Sequence, residues 1–250
     1  MGGLFGRLVV SAITDFVSWR MGLIVIGILY LAVGIAFFML LPKPKYQRQR
    51  QSGGLQLIKT FHTALANKKL LWIYLVAFLI MGSFVAVFNF ISYVLLAPPY
   101  SLSQTVVGLL FVVYLFGTFS STYMGRLSDQ HGNGRVLILG LLIMLTGGLL
   151  TLLQPLVFKF IGLAIFTFGM LGSHSVACGW VGKLNHGDKA QSSSMYMFFY
   201  YAGASSLGTL GGVFLESYGW SGVIGMVAAA VIICLLVVVR LNSRAVSVNI

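Results

Sequence analysis

Apolar runs of roughly twenty residues recur along this chain, separated by short polar or basic segments. A helix needs about 20 apolar residues to cross about 30 Å of hydrocarbon. Seven segments meet that requirement and predict spanning helices over 20–41, 71–96, 104–125, 136–154, 158–181, 191–215 and 221–240. The Pro98-Pro99 pair, followed by Ser101 and Ser103, divides one long uncharged run into two of these helices. The runs lack the two-residue alternation of barrel strands, so the expected fold class is all-α, a multi-pass transmembrane helix bundle. An eighth segment, 2–15, reaches only about 21 Å at 1.5 Å per residue. It is expected to be a helix cut short, making about eight helices with the first one short.

Composition fits this pattern. The chain is 58% hydrophobic and 8% charged, and four acidic residues cannot coat a water-facing globule of 250 residues. The net charge of +12 does not point to nucleic acid, because the basic residues sit between apolar runs and form no single amphipathic face. Cys178 and Cys234 fall inside apolar runs, far apart, and read as small core residues. No metal-ligand spacing or cofactor motif stands out, so no cofactor and no metal are expected. The start carries no basic segment leading to a cleavage site.

Charge position predicts topology. Lys43, Lys45, Arg48, Arg50, Lys59, Lys68 and Lys69 fill the connector after the second segment. Arg126 and Arg135 flank a later loop, Lys183 and Lys189 another, and Arg240 and Arg244 the end. The intervening loops hold Arg20 and Lys159 as basic residues, with Asp15 and Glu216 as acids. Every second loop is basic, which places the connector and both termini in the cytoplasm. Lys159, near the end of its span, is expected to snorkel to the interface. Within the connector, Leu55, Ile58, Phe61 and Leu65 recur at helical spacing. Two readings stand there: a short amphipathic helix on the anionic inner leaflet, or a solvated linker.

At a shift of 201 residues, Gly2, Asp15 and Trp19 fall on Gly203, Glu216 and Trp220. Each copy runs as a glycine-containing helix, an acid, a Trp and a long apolar helix. The glycines Gly2 and Gly6 in one copy, and Gly203, Gly208, Gly211 and Gly212 in the other, suit close helix packing. The tryptophans suit an interfacial aromatic belt. The repeat predicts two six-helix halves of which four helices are missing from this chain. The expected organisation is a remnant of the N-terminal bundle over 1–41, a basic cytoplasmic connector over 42–70, a C-terminal six-helix bundle over 71–240 and a cytoplasmic tail over 241–250.

Between two spans lies Gly125-Arg-Leu-Ser-Asp-Gln-His-Gly-Asn-Gly-Arg135. This resembles the loop signature of the major facilitator superfamily, Gly-x-Leu-Ser/Ala-Asp-x-x-Gly-Arg-Arg. Gly125, Leu127, Ser128, Asp129 and Gly132 match, whereas Asn133 and Gly134 replace the usual basic pair and Arg135 arrives late. The physical logic is a tight cytoplasmic turn whose acid meets helix N-termini or arginines and latches one conformation. Gly125, Arg126, Asp129, Gly132 and Arg135 are therefore candidate gating residues, set against a generic basic turn. The Gly2-xxx-Gly6-Arg7 helix is similar to a glycine motif of family antiporters, with Arg7 where Pro is common. Thr14-Asp15-Phe16, Ser173-His174-Ser175-Val176-Ala177 and Gly208 to Phe214 add to the likeness.

The whole chain resembles helices five to twelve of a family member. The resemblance implies the major facilitator fold and alternating access. It also implies proton-coupled export of a small organic compound, drug-like or sugar-like, across a bacterial inner membrane. Its implied partners are the lipid bilayer, a small-molecule substrate, protons and a complementary N-terminal fragment, with no nucleic acid.

Polar groups inside a span are costly unless they face protein or water. Arg7, about 12 Å below Asp15 along a helix, is one such group and either lines a pathway or snorkels toward the nearby start. His174 sits alone among the histidines in a span, flanked by Ser173 and Ser175, and either relays protons or is satisfied by a neighbouring hydroxyl or carbonyl. Asn89 and Tyr93 share a helix face, as do Tyr196 and Tyr200. Those four suit an amphiphilic substrate, or packing and the interface. No His-Glu-x-x-His, paired intramembrane aspartates or Gly-x-Ser-x-Gly element suggests an enzyme. The expectation is a transporter, inactive as this chain alone. A membrane structural or regulatory subunit, or the product of a degraded gene, is the alternative.

Overall fold

The computed structural model describes residues 19–41, 67–184 and 189–246. The short segment 2–15, with Gly2, Gly6 and Arg7, lies outside the described residues, as does nearly all of the connector. Among the described residues every regular element is helical.

Helix α1 (Trp19–Leu40) precedes the connector, and α2 (Lys68–Leu96) follows it. The start of α2 is fixed by Asn67, whose side-chain oxygen accepts from the backbone N–H of Lys69 at 3.1 Å. A short α3 (Gln104–Leu109) and a 3₁₀ turn (Leu110–Val113) lead directly into α4 (Tyr114–His131). Helix α5 is Asn133–Leu150 and α6 is Leu156–Leu184. The run α7 (Lys189–Val246) is helical except at Gly219, with φ 64° and ψ −156°. Unbroken, its 58 residues would reach about 87 Å. That far exceeds one crossing, so Gly219 divides α7 into two antiparallel-capable limbs, 189–218 and 220–246. A left-handed φ at this point favours glycine.

Helices α1, α2, α5, α6 and α7 are each long and apolar enough to cross a membrane. The structure corrects two sequence expectations here. The 104–125 segment is not one uniform helix, since the 3₁₀ turn interrupts it and its α-helical part continues to His131. The 125–135 motif is not a loop. Gly125 to His131 form the last turns of α4, and the reversal is made at Gly132 alone, with φ 88° and ψ 144°.

One end of the bundle carries the start of α2, the α4–α5 turn and the ends of α6 and α7, and is here termed the basic end. The opposite end holds Pro98–Tyr100, the α5–α6 turn and Gly219. Lipid supplies no hydrophobic drive between helices, so small residues and close packing hold them together. A Cβ on Gly82 would stand 2.7 Å from the carbonyl oxygen of Gly203, and one on Gly211 would stand 2.8 Å from the Phe90 ring. These glycines bring α2 and the first limb of α7 to backbone contact. Gly147 and Gly162 do the same for α5 and α6, where a Cβ on either would stand within 2.8 Å of the other's carbonyl oxygen. Tyr74, Phe88, Phe166, Leu137, Met144 and Tyr196 fill the interior. Helix α1 differs: Phe38 is 85% exposed, Leu40 80%, and nearly all the large apolar side chains between them and Leu23 are open.

Candidate functional site

The middle of α6 faces the first limb of α7 across His174. Its Nδ1 lies 2.9 Å from the hydroxyl of Tyr196, which also donates to the His174 carbonyl oxygen at 3.4 Å. The ring of Tyr200 stands 4.4 Å from the imidazole, and the Tyr196 and Tyr200 rings are 6.2 Å apart. Residues 196 and 200 are one helical turn apart, so both rings descend on the imidazole from one face of α7. Tyr196 is fully buried and Tyr200 nearly so, whereas Tyr201 turns perpendicular to Tyr200 and is exposed.

The sequence places Ser173 and Ser175 beside His174, but neither is its partner. Ser175 donates to the Ser121 carbonyl at 3.0 Å, on the α4 side of the helix. Ser121 in turn donates to Leu171 at 3.2 Å, so α4 and α6 are tied by hydroxyls while His174 looks the other way. The Ser173 hydroxyl is buried with no partner among the described residues. Tyr196 as the histidine's partner is a contact between residues 22 apart, which no local spacing reveals.

Asn89 and Tyr93 share the exposed face of α2, with Tyr93 at 6.3 Å from Phe90. They do not join the histidine cluster. Gly203, Gly208, Gly211 and Gly212 all line the α2 contact, where side chains or backbone of Phe78, Val85, Ala86 and Phe90 occupy the space a Cβ would need.

At the basic end, Asp129 on α4 meets Lys183 on α6, with Nζ donating to Oδ1 at 3.0 Å. Lys183 also donates to Oδ1 of Asn133 at 3.3 Å. The expected arginine partners Arg126 and Arg135 are both exposed, and a lysine 54 residues away takes that role. The two departures from the signature have physical uses here. Asn133 completes the lysine's coordination. Gly134 leaves room for Asn242 on α7, whose Cγ would lie 2.8 Å from a Cβ there. Gly125 keeps ordinary distance from Ser175, and Gly132 supplies the positive φ of the turn.

Lys159 corrects another expectation. It does not snorkel outward: it is 4% exposed and donates to the carbonyl oxygen of Thr151. Its ammonium lies 5.8 Å from the centre of the Tyr100 ring and 6.0 Å from that of Trp220. Trp220 donates its indole N–H to the Thr151 carbonyl and hydroxyl, each at 3.1 Å. This tryptophan therefore anchors protein to protein, although the repeat reads it as a lipid-interface residue.

The sequence profile of the Major Facilitator Superfamily matches residues 87–249, well over half of the chain. The chain belongs to that family. Major facilitator proteins similar to it include the inner membrane transport protein YnfM of Escherichia coli (strain K12), 41% identical over 244 residues, which are 98% of this chain and 58% of YnfM. An uncharacterized MFS-type transporter, YybF of Bacillus subtilis (strain 168), is 40% identical over 237 residues, 94% of this chain and 58% of its own. An uncharacterized transporter of Buchnera aphidicola subsp. Schizaphis graminum is 35% identical over 242 residues, 97% of this chain and 59% of its own. The chain thus spans a little under three-fifths of the curated relatives it matches. This major facilitator chain is a multi-pass, all-helical membrane protein.

Proposed function

We propose that the chain forms helices five to twelve of a transporter that moves a small organic compound by alternating access, coupled to protons, in a bacterial inner membrane. The contact between His174 and Tyr196 carries the reading. A neutral imidazole has one N–H and one free nitrogen, and its ordinary pKa lies in the physiological range. Half-buried in an apolar bundle and hydrogen-bonded to one phenol, the imidazole is placed to hand a proton on as the neighbouring helix moves. The two limbs of that motion are α6 and the first limb of α7. Asn89 and Tyr93 on the open face of α2, with Tyr201, offer amide, phenol and ring surfaces to an amphiphilic substrate. Arg7, in the 2–15 segment whose sequence predicts a short helix, is assigned to the same pathway.

In this reading the Lys183–Asp129 pair latches α4 to α6 at the cytoplasmic end, with Gly125, Gly132, Arg126 and Arg135 shaping the turn. The connector and the C-terminus are assigned to the cytoplasm, a reading that the distribution of lysine and arginine supports. The openness of α1 on nearly all sides supports a complementary set of N-terminal helices as its partner. The same openness favours the second reading, a membrane subunit that docks on such helices without transporting.

The test is substrate-induced proton flux across inverted membrane vesicles, read with a pH-sensitive dye, on adding amphiphilic organic compounds one at a time. The chain is expressed with and without a complementary segment supplying four N-terminal helices. Flux is expected only with the complement, and His174→Ala is expected to abolish it. Flux unchanged by His174→Ala removes the histidine from the mechanism. Flux from residues 1–250 alone rejects the need for a partner segment.

A further inference from the structure

A cavity of about 300 Å³ lies at the basic end, lined by Trp72, Ile233, Leu236, Val237, Arg240 and Leu241. Its walls are apolar and its one charge is Arg240. That guanidinium is exposed and makes no hydrogen bond or ion pair with any described residue. Cys234 Sγ lies 4.0 Å from the Val76 carbonyl, while Trp72 shares the cavity with Leu241. The start of α2 and the second limb of α7 therefore run antiparallel, and Arg240 is level with the first turn of α2. Lys68 and Lys69 stand exposed on that turn. Of the described acids, Asp129 is engaged by Lys183 and Glu216 lies toward the opposite end, near Gly219. Among the described residues, no acid compensates the cluster's positive charge.

We propose that this crevice binds an anionic phospholipid, with an acyl chain along Trp72, Ile233 and Leu236 and the phosphate against Arg240. A guanidinium presents paired N–H groups that match a phosphate's oxygens, and an exposed tryptophan suits the headgroup boundary. Basic pockets between spanning helices are suited to anionic headgroups. A free anion would need no apolar wall, and a neutral lipid would need no cation. The assignment rests on the chain's being membrane-embedded, not on its orientation or on the proposed pathway.

The test uses the purified 250-residue chain in phosphatidylcholine nanodiscs, with the same lipid in both leaflets, so orientation and transport do not enter. Tryptophan fluorescence is quenched with a minor fraction of either brominated phosphatidylglycerol or brominated phosphatidylcholine, and Trp72→Phe identifies the Trp72 contribution. Phosphatidylglycerol is expected to quench Trp72 at the lower mole fraction. Arg240→Gln should weaken that preference about five-fold, and Arg240→Lys should keep part of it. Equal quenching by the two lipids in the unaltered chain overturns the proposal. So does a preference that survives Arg240→Gln, since it then belongs to the basic surface at large. Loss of the preference on adding inorganic phosphate, at constant ionic strength, would reassign the site to a free anion and overturn it equally.

Discussion

Gly203 lies so close to Phe78 that a Cβ on the glycine would stand 2.7 Å from the Phe78 Cα and overlap its carbonyl. Backbone meets backbone there, and neither side can yield by rotating a side chain. Overpacking a well-filled interior costs about 1–3 kcal/mol where neighbours can adjust. Gly203→Val is therefore expected to destabilise by at least that much, or to split α2 from α7 outright. Gly225→Ala, with open space around it, is expected to be neutral. Unfolding in mixed micelles by a denaturing detergent measures both. A neutral Gly203→Val would show that the α2–α7 contact is looser than described.

Tyr196→Phe removes the hydroxyl that His174 Nδ1 faces while keeping the ring. A buried polar group left without its partner costs about 1–3 kcal/mol. The single change is expected to destabilise by that amount. Adding His174→Phe should not add a second full penalty, because the orphaned nitrogen is gone. A double-mutant cycle by the same unfolding assay should give a coupling energy in the range of about 0.5–3 kcal/mol. Simple additivity would mean that the two side chains do not interact.

Lys183 and Asp129 are 56% and 71% exposed, so their pair should add under about 1 kcal/mol to stability. Its effect is expected in motion instead. Cys178 sits on α6 about 7.5 Å along the helix from Lys183 and is partly buried, while Cys234 is fully buried. Asp129→Asn should raise the rate at which N-ethylmaleimide labels Cys178, roughly two- to five-fold on the scale of a surface pair. Charge exchange, Asp129→Lys with Lys183→Asp, should restore slow labelling, and raised salt should mimic the single variant. An unchanged rate in Asp129→Asn would show that the pair latches nothing.

The crossings were legible because the bilayer imposes one length and one polarity on every span, so α2, α5 and α6 follow from their apolar runs alone. Less was legible where geometry depends on partners. Nothing local in 104–125 signals a 3₁₀ turn at Leu110–Val113, and the 125–135 motif reads as a loop because it is rich in polar residues and glycine, although a helix end carries polar residues equally well. The site divides in the same way. His174, Tyr196 and Tyr200 stand out as polar groups in apolar helices, and the fold brings them together. The roles of Lys183, Thr151 and Tyr100 come only from contacts between helices, which periodicity within one helix cannot show.

Lys159 and Trp220 meet over the Thr151 carbonyl, and the two side chains should respond to replacement in opposite ways. Taking a cation out of water is costly, and exchanging a buried charge for an apolar group of similar volume is often neutral or stabilising. Lys159→Met keeps the stem, and the Trp220 N–H still satisfies the carbonyl. This change is expected to shift stability by less than about 1 kcal/mol, or to raise it. Trp220→Ala empties the space beside the ammonium and removes a hydrogen bond at the break of α7. Full burial of Trp would put its loss at about 3–5 kcal/mol, and partial burial here lowers that to about 2–3 kcal/mol. Thermal unfolding in detergent, followed by the loss of helical circular dichroism so that the readout does not depend on the indole, separates the two. If Lys159→Met proves the more damaging change, the ammonium is the keystone of this end of the bundle and the tryptophan only covers it.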